Sequence, residues 1–174
     1  MNAKALIENL GLQPLPKEGG FYRETYRSSE RVAAAALPVR YAVDKEFGTA
    51  MYYLLTPETA SALHRLPTDE VFHFYLGDPV VMLQLYPDGT GRTITLGPDI
   101  LSGQIVQCVV PKFVWQGATL VAGGHFALLG TTMAPAYDSA DFELGSRAEL
   151  LSQYREYSEL INRLTSKPCL PKSH

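Results

Sequence analysis

The chain has 174 residues, of which 46% are hydrophobic and 19% charged, and its 15 Lys and Arg against 18 Asp and Glu leave a formal charge of -3. That length predicts one domain over residues 1–174, and the composition excludes a disordered, collagenous or coiled-coil chain. The charge is too near balance for the basic field of non-specific nucleic-acid binding, and every apolar stretch is broken before the roughly 18 residues of a membrane span, so neither nucleic acid nor membrane is an expected partner. Two cysteines, Cys108 in a strand-like run and Cys169 near the C-terminus, make no disulfide framework. Free thiols in a reducing, cytoplasmic compartment are expected.

In chain order, the first element is a helix over about residues 2–10, with Ala5, Leu6 and Asn9 at helical spacing and Gly11 where a left-handed C-terminal cap is wanted. Lys4 and Glu8 interrupt its apolar residues, so it reads as part of the mature protein rather than as a signal peptide. Over residues 18–129, β-branched and aromatic residues dominate and no 3.6-residue period survives. Strands are predicted at 20–26, 49–55, 61–63, 70–76, 80–86, 90–96, 105–110, 115–121 and 126–132. Turn residues such as Gly77-Asp78-Pro79, Pro87-Asp88-Gly89 and Gly97-Pro98-Asp99 separate them at the spacing of a sandwich or barrel rather than of βαβ units. Residues 37–45 carry no strong period, and their state is open. Residues 147–164 place Leu150, Leu151, Tyr154, Tyr157, Leu160, Ile161 and Leu164 on one helical stripe. Ser146 and Glu149 form a capping-box pattern before it, Pro168 is a stop, and residues 165–174 read as a loose tail.

The stretch 61–77 carries the chemistry. On a strand over 70–76, a period of two puts Glu70, Phe72, Phe74 and Leu76 on one face and Val71, His73 and Tyr75 on the other. The first row is apolar apart from Glu70. If it lines an interior, it carries a carboxylate there, and desolvation raises the pKa of that group unless it is paired.

The spacing from His64 through Glu70 to Gly77 resembles the first cupin motif, and residues 111–116 stand where the second motif has Pro-x-Gly followed by a histidine. A larger set of pieces resembles the Cupin_5 family, an uncharacterised cupin subfamily: residues 18–27 (EGGFYRETYR), 63–66 (LHRL), 69–75 (DEVFHFY), 115–118 (WQGA), 134–138 (APAYD) and 141–144 (DFEL). The resemblance implies an all-β double-stranded β-helix, the cupin jelly-roll barrel, over about residues 18–133, with a short N-terminal helix, an amphipathic C-terminal helix and a homodimeric assembly. In the wider superfamily, metal-dependent members use three histidines and a glutamate. Here Leu66 takes the second histidine position and Gln116 the motif-two histidine position, so no cofactor is expected, and a divalent metal on His64, Glu70 and Gln116 is the rival reading. Phe113 replaces the expected turn glycine, and Ala136 a glycine of close relatives.

The expected function is binding of a small polar or anionic metabolite in the barrel. The metal-free sugar-nucleotide epimerases among cupins suggest isomerase- or epimerase-like chemistry, with His64 as base, Glu70 and Tyr137 as its catalytic companions, Arg65 and Tyr75 as further partners, and Asp69, Asp138 or Asp141 orienting the ring. Tyr22, Arg23, Ser61, Arg65, Phe72, Trp115, Gln116 and Asp141 are the candidate ligand-binding residues, the arginines for a carboxylate or phosphate. Plainer readings stand beside these. His64 and Glu70 bond each other and merely close the barrel; the strand carrying Tyr22 and Arg23 pairs at a dimer edge; Trp115 packs in the core; His125 is a turn histidine and His73 an outward one. A metal-dependent, dioxygenase-like enzyme and a non-catalytic binding or storage module complete the alternatives.

Overall fold

Short strands separated by Gly and Pro turns fold into two facing sheets in the computed structural model, which describes residues 1–166. The expected stop at Pro168, the thiol of Cys169 and the tail beyond Ser166 lie outside the described residues. Helix α1 (Ala3–Leu10) starts at Asn2, whose Oδ1 accepts from the Ala5 N–H at 2.9 Å, and ends at Gly11, held at φ 61°. The strands are β1 (Gln13–Pro14), β2 (Phe21–Arg27), β3 (Arg31–Val32), β4 (Lys45–Glu46), β5 (Thr49–Leu55), β6 (Ser61–Arg65), β7 (Glu70–Gly77), β8 (Val80–Leu85), β9 (Gly91–Leu96), β10 (Gln107–Val110), β11 (Trp115–Leu120), β12 (Ala127–Met133) and β13 (Glu143–Leu144). Helices α2 (Arg147–Gln153) and α3 (Ser158–Leu164) follow.

One sheet has six strands in the order β1-β2-β5-β12-β7-β10, and the other five in the order β13-β6-β11-β8-β9. Their inner faces supply the core: Tyr53, Phe72, Phe74 and Leu129 from the first pack with Val80, Met82, Leu96 and Leu120 from the second. A fully buried aliphatic or aromatic side chain of this kind contributes roughly 1.5–3 kcal/mol. The outer faces are covered in part. Leu6 of α1 packs on Phe21, Leu54 and Leu128, while Leu150, Tyr154, Ile161 and Leu164 pack on Leu63, Leu83, Leu85 and Trp115.

The predicted strands all form, with ends shifted by up to two residues, and the expected jelly-roll architecture with its short N-terminal helix is present. Three expectations need correction. Leu76 does not share the inner face with Glu70, because the β7–β12 register slips between Leu128 and Leu129 and Tyr75 is left unmatched. That bulge sends Leu76 into the cluster under α1. The C-terminal helix is broken at Tyr154, which takes φ -122° and ψ 60°. Tyr154 and Tyr157 both reach down to the β8–β9 hairpin, donating their hydroxyls to the carbonyls of Tyr86, at 2.8 Å, and Gly91. A straight helix gives way to these two anchors. The Ser146 side chain makes no capping bond. The helix start is fixed instead by Gly145, whose N–H bonds the Leu63 carbonyl at 2.7 Å. Residues 37–45, open from the pattern, run from a single 3-10 turn at Ala34–Ala36 to the start of β4, which pairs with β3.

Phe113, at the position where a glycine was expected, has φ 64° and is half-exposed. The left-handed region costs a residue with a Cβ about 1–2 kcal/mol, and the greater unfolded-state freedom of glycine takes back about 0.5–1 kcal/mol. Phe113→Gly is therefore expected to be neutral or to stabilise by up to about 1 kcal/mol in thermal unfolding. A clear loss of stability would show that contacts of the ring hold this turn.

Candidate functional site

The first component is a turn. Lys17, Gly19 and Gly20 all have positive φ, at 68°, 97° and 74°. The loop is closed by Leu15 N–H to the Gly20 carbonyl at 2.9 Å and Gly19 N–H to the Leu15 carbonyl at 3.0 Å. The Tyr53 hydroxyl donates to the Gly19 carbonyl at 2.9 Å. A Cβ on Gly20 would lie 2.8 Å from Tyr53 Cε2 and 2.9 Å from the Leu54 carbonyl oxygen, so only glycine fits. This turn aims the buried Glu18 side chain inward, where the Ser61 hydroxyl donates to its Oε1 at 2.8 Å.

The second component comes from three strands. Period-two alternation on β7 puts Glu70 on the inner face beside Phe72, and the β6–β11 register sets Gln116 opposite His64. The Gln116 amide donates to Glu70 Oε2 and lies 3.2 Å from His64 Nε2. His64 Nδ1 is 2.8 Å from the Ala62 carbonyl, which can only accept, so Nδ1 carries the hydrogen and the Nε2 lone pair faces the Gln116 amide. Phe142 stacks on the imidazole at 4.8 Å between centroids. The ring is thus held on both nitrogens and on one face.

Glu18, His64 and Glu70 line a cavity with an empty volume of about 510 Å³, its open mouth included. Tyr22 and Tyr137 also line it, and Leu15, Met51, Leu66 and Met133 make its apolar wall. Burial raises the pKa of Glu70, an effect that the His64 imidazole opposes and the nearby Glu18 carboxylate reinforces. Burial, then Glu18 and Glu70, push the Tyr137 phenol up to about 12, so it stays a hydrogen-bond donor.

Of the residues singled out from the sequence, His64, Glu70, Tyr22 and Tyr137 meet in this cavity. Gln116 and Ser61 stand behind it as hydrogen-bond partners of Glu70 and Glu18, and Phe72 belongs to the core. Four others lie elsewhere. Arg23 alternates with Tyr22 and so points away, 5.7 Å over the Tyr52 ring. Arg65, next to His64, faces out and pairs with both carboxylate oxygens of Glu143 at 2.7 and 2.8 Å. Trp115, next to Gln116, packs under α2 and α3 with Arg65 over its ring at 4.4 Å. Asp141 is engaged by Lys45, as is Asp138, at 2.8 and 2.9 Å. Tyr75 stacks on His73, which bonds Thr132 on the outer face, and Asp69 accepts from the Lys112 N–H, so neither serves the imidazole. His125 sits in a turn, its N–H bonded to Asp78.

Two residues escaped the sequence reading. Glu18 left a trace, a carboxylate directly before two glycines. Lys45, only 2% exposed, left none, because its partners are more than ninety positions away.

A divalent metal is tested by the donor set. Among the described residues, no group of three or more His, Cys, Asp or Glu is placed to hold an ion. Leu66 is apolar, and the Gln116 amide donates toward both His64 and Glu70. These residues do not fit a transition-metal centre.

The profile of the Cupin_5 family, described as Cupin superfamily (DUF985), matches residues 4–145. The uncharacterized protein YML079W of Saccharomyces cerevisiae is 26% identical over 133 residues, which take in 72% of this chain and 66% of that protein, just under two thirds of its length. A hypothetical protein from Leishmania major superposes with a TM-score of 0.86 at 27% identity, covering 96% of this chain and 100% of that one. Protein SO0799 from Shewanella oneidensis superposes with a TM-score of 0.82 at 31% identity, covering 96% and 99%.

The raised Glu70 pKa sets a pH test. An acid whose folded-state pKa lies above its unfolded value of about 4.5 contributes stability that is complete below that value and is lost as pH rises through the folded-state value. Glu70→Gln keeps an acceptor for Gln116 and removes the titration. Thermal unfolding is expected to show the variant gaining on the wild type as pH goes from 4 to 8. A difference that is flat or falls with pH would contradict the buried, unpaired assignment.

Proposed function

Since the chain belongs to the Cupin_5 family of the cupin superfamily and folds as a cupin barrel, we propose that it binds a small polar ligand in the cavity between Tyr22, Glu18, His64, Glu70 and Tyr137. The observation that carries this reading is a pair of buried carboxyl groups, Glu18 and Glu70, facing a cavity whose remaining wall is largely apolar. Burying a carboxylate without a cation costs several kcal/mol or forces it to hold a proton, and such groups cluster at sites that bind or react.

A second reading, metal-independent proton transfer of the isomerase or epimerase kind, is favoured by the raised pKa of Glu70. A carboxyl poised closer to neutrality exchanges a proton with a bound ligand more readily than an ordinary surface carboxylate does. In this reading Glu70 moves the proton, the Tyr137 hydroxyl donates a hydrogen bond to developing negative charge, and His64 and Gln116 position Glu70. His64 as base would first require Gln116 to release its Nε2 lone pair.

Methionine methyl groups give a direct readout. In a 13C-methyl methionine spectrum screened against small polar metabolites, a ligand of this site is expected to shift Met51 and Met133, which line the cavity, and to leave the core residue Met82 in place. Plugging the cavity with Leu66→Phe should abolish those shifts; shifts that persist would move the ligand elsewhere. Deuterium uptake into the bound ligand in D2O, lost in Glu70→Gln, marks catalysis, and its absence leaves a binding module.

We also propose a homodimer formed through the outer face of the six-stranded sheet, where Tyr26, Tyr75 and Val109 are exposed and β10, paired on one side with β7, is an edge strand among the described residues. Light scattering at micromolar concentration is expected to give twice the chain mass for the wild type and the chain mass for Val109→Lys. A wild-type monomer would remove this reading.

A further inference from the structure

The charge on the cavity identifies the class of guest, on the reading that the cavity binds a ligand at all. Three glutamates, Glu18, Glu24 and Glu70, line it, and among the described residues no Lys or Arg does. Four basic residues of the surrounding frame are engaged elsewhere. Arg27 forks onto Glu24, with Nε and Nη2 at 3.0 and 2.8 Å from its two oxygens, and reaches Glu46 at 3.1 Å. Lys45 lies between Asp138 and Asp141, Arg65 on Glu143 and Arg23 over Tyr52. Glu24 is therefore compensated within the protein. Glu18 and Glu70 have no Lys or Arg on them: the side-chain donors are the Ser61 hydroxyl on Glu18 and the Gln116 amide and Thr131 hydroxyl on Glu70, none of them charged, and the His64 imidazole, its Nε2 lone pair turned to Gln116, is the one basic group beside Glu70.

We propose that the ligand of this cavity is a small organic cation, an ammonium or amidinium on a short apolar body, whose charged end sits between Glu18 and Glu70 and whose body lies against Leu15, Met51, Leu66 and Met133. Burial disfavours the Glu70 carboxylate, and the neighbouring Glu18 adds to that. A cation between them reverses the sign of that interaction in a place where water screens little, whereas an anion adds a third like charge. The aromatic residues Tyr22 and Tyr137 further suit a cation, and the phenol of Tyr137 donates its hydrogen bond to any acceptor on the guest. The expectation of an anionic metabolite rested on Arg23 and Arg65, both of which point away from the cavity.

The test uses three probes of one shape: n-butylammonium, 1-butanol and butyrate, titrated separately into the full chain and followed by the Met51 and Met133 methyl signals. Butylammonium is expected to saturate these signals at a concentration at least tenfold lower than either other probe. Glu70→Gln and Glu18→Gln, each of which keeps its hydrogen-bond acceptor, are expected to erase most of that preference, with an unmoved Met82 signal certifying the fold. Butyrate or 1-butanol binding as tightly as butylammonium would overturn the charge assignment while leaving the ligand cavity standing. If none of the three moves Met51 or Met133, the cavity reading and the charge assignment fall together.

Discussion

Glu70 occupies an inner-face position on β7 where both neighbours on the same face, Phe72 and Phe74, are core residues, and its carboxyl group is held by the amide of Gln116 rather than by a cation. An ionised carboxylate in that position is expensive, and hydrogen bonds return only part of the cost. Much of the surrounding structure follows from this constraint. Gln116 must present its amide hydrogens, His64 must turn its Nδ1 hydrogen to the Ala62 carbonyl so that Nε2 can accept, and Phe142 closes over the ring. A second carboxyl, Glu18, enters from the other side on a turn that requires glycine at position 20, and makes ionisation of the first harder.

The placement of cations completes the arrangement. Lys45, buried between Asp138 and Asp141, ties β4 to the segment that carries Tyr137, and Arg27 bonds the Tyr137 carbonyl at 3.1 Å while pairing with Glu24 and Glu46. Both cations thereby fix the wall of the cavity without entering it. A cavity so arranged holds carboxyl groups in its interior and Lys45 and Arg27 in its frame.

Much of the fold was legible because its signals are local. Turns such as Pro87-Asp88-Gly89 mark reversals through their own backbone preferences, and an alternation of two residues says which side chains share a face wherever pairing is regular. The same alternation placed Glu70 inside and His73 outside correctly. It failed at Leu76, because a bulge at Tyr75 resets the phase and nothing in the residues of β7 announces it. It also contained the answer for Arg23, Arg65 and Trp115. Each is adjacent in sequence to a residue now seen to face the interior, so each faces away, but the inward row on those strands is identifiable only once the partner strand is known.

What the amino-acid order determined by itself was the set of strands, the inward carboxyl at Glu70, the proximity of His64, and the family pattern they share; these depend on neighbours a few positions apart. The tertiary structure alone decided that Glu18 joins Glu70, that Gln116 bridges to His64 and that Lys45 is spent on Asp138 and Asp141. Those choices pair residues more than forty positions apart, and the energy of a buried charge depends on every group packed around it, which no short window of sequence contains.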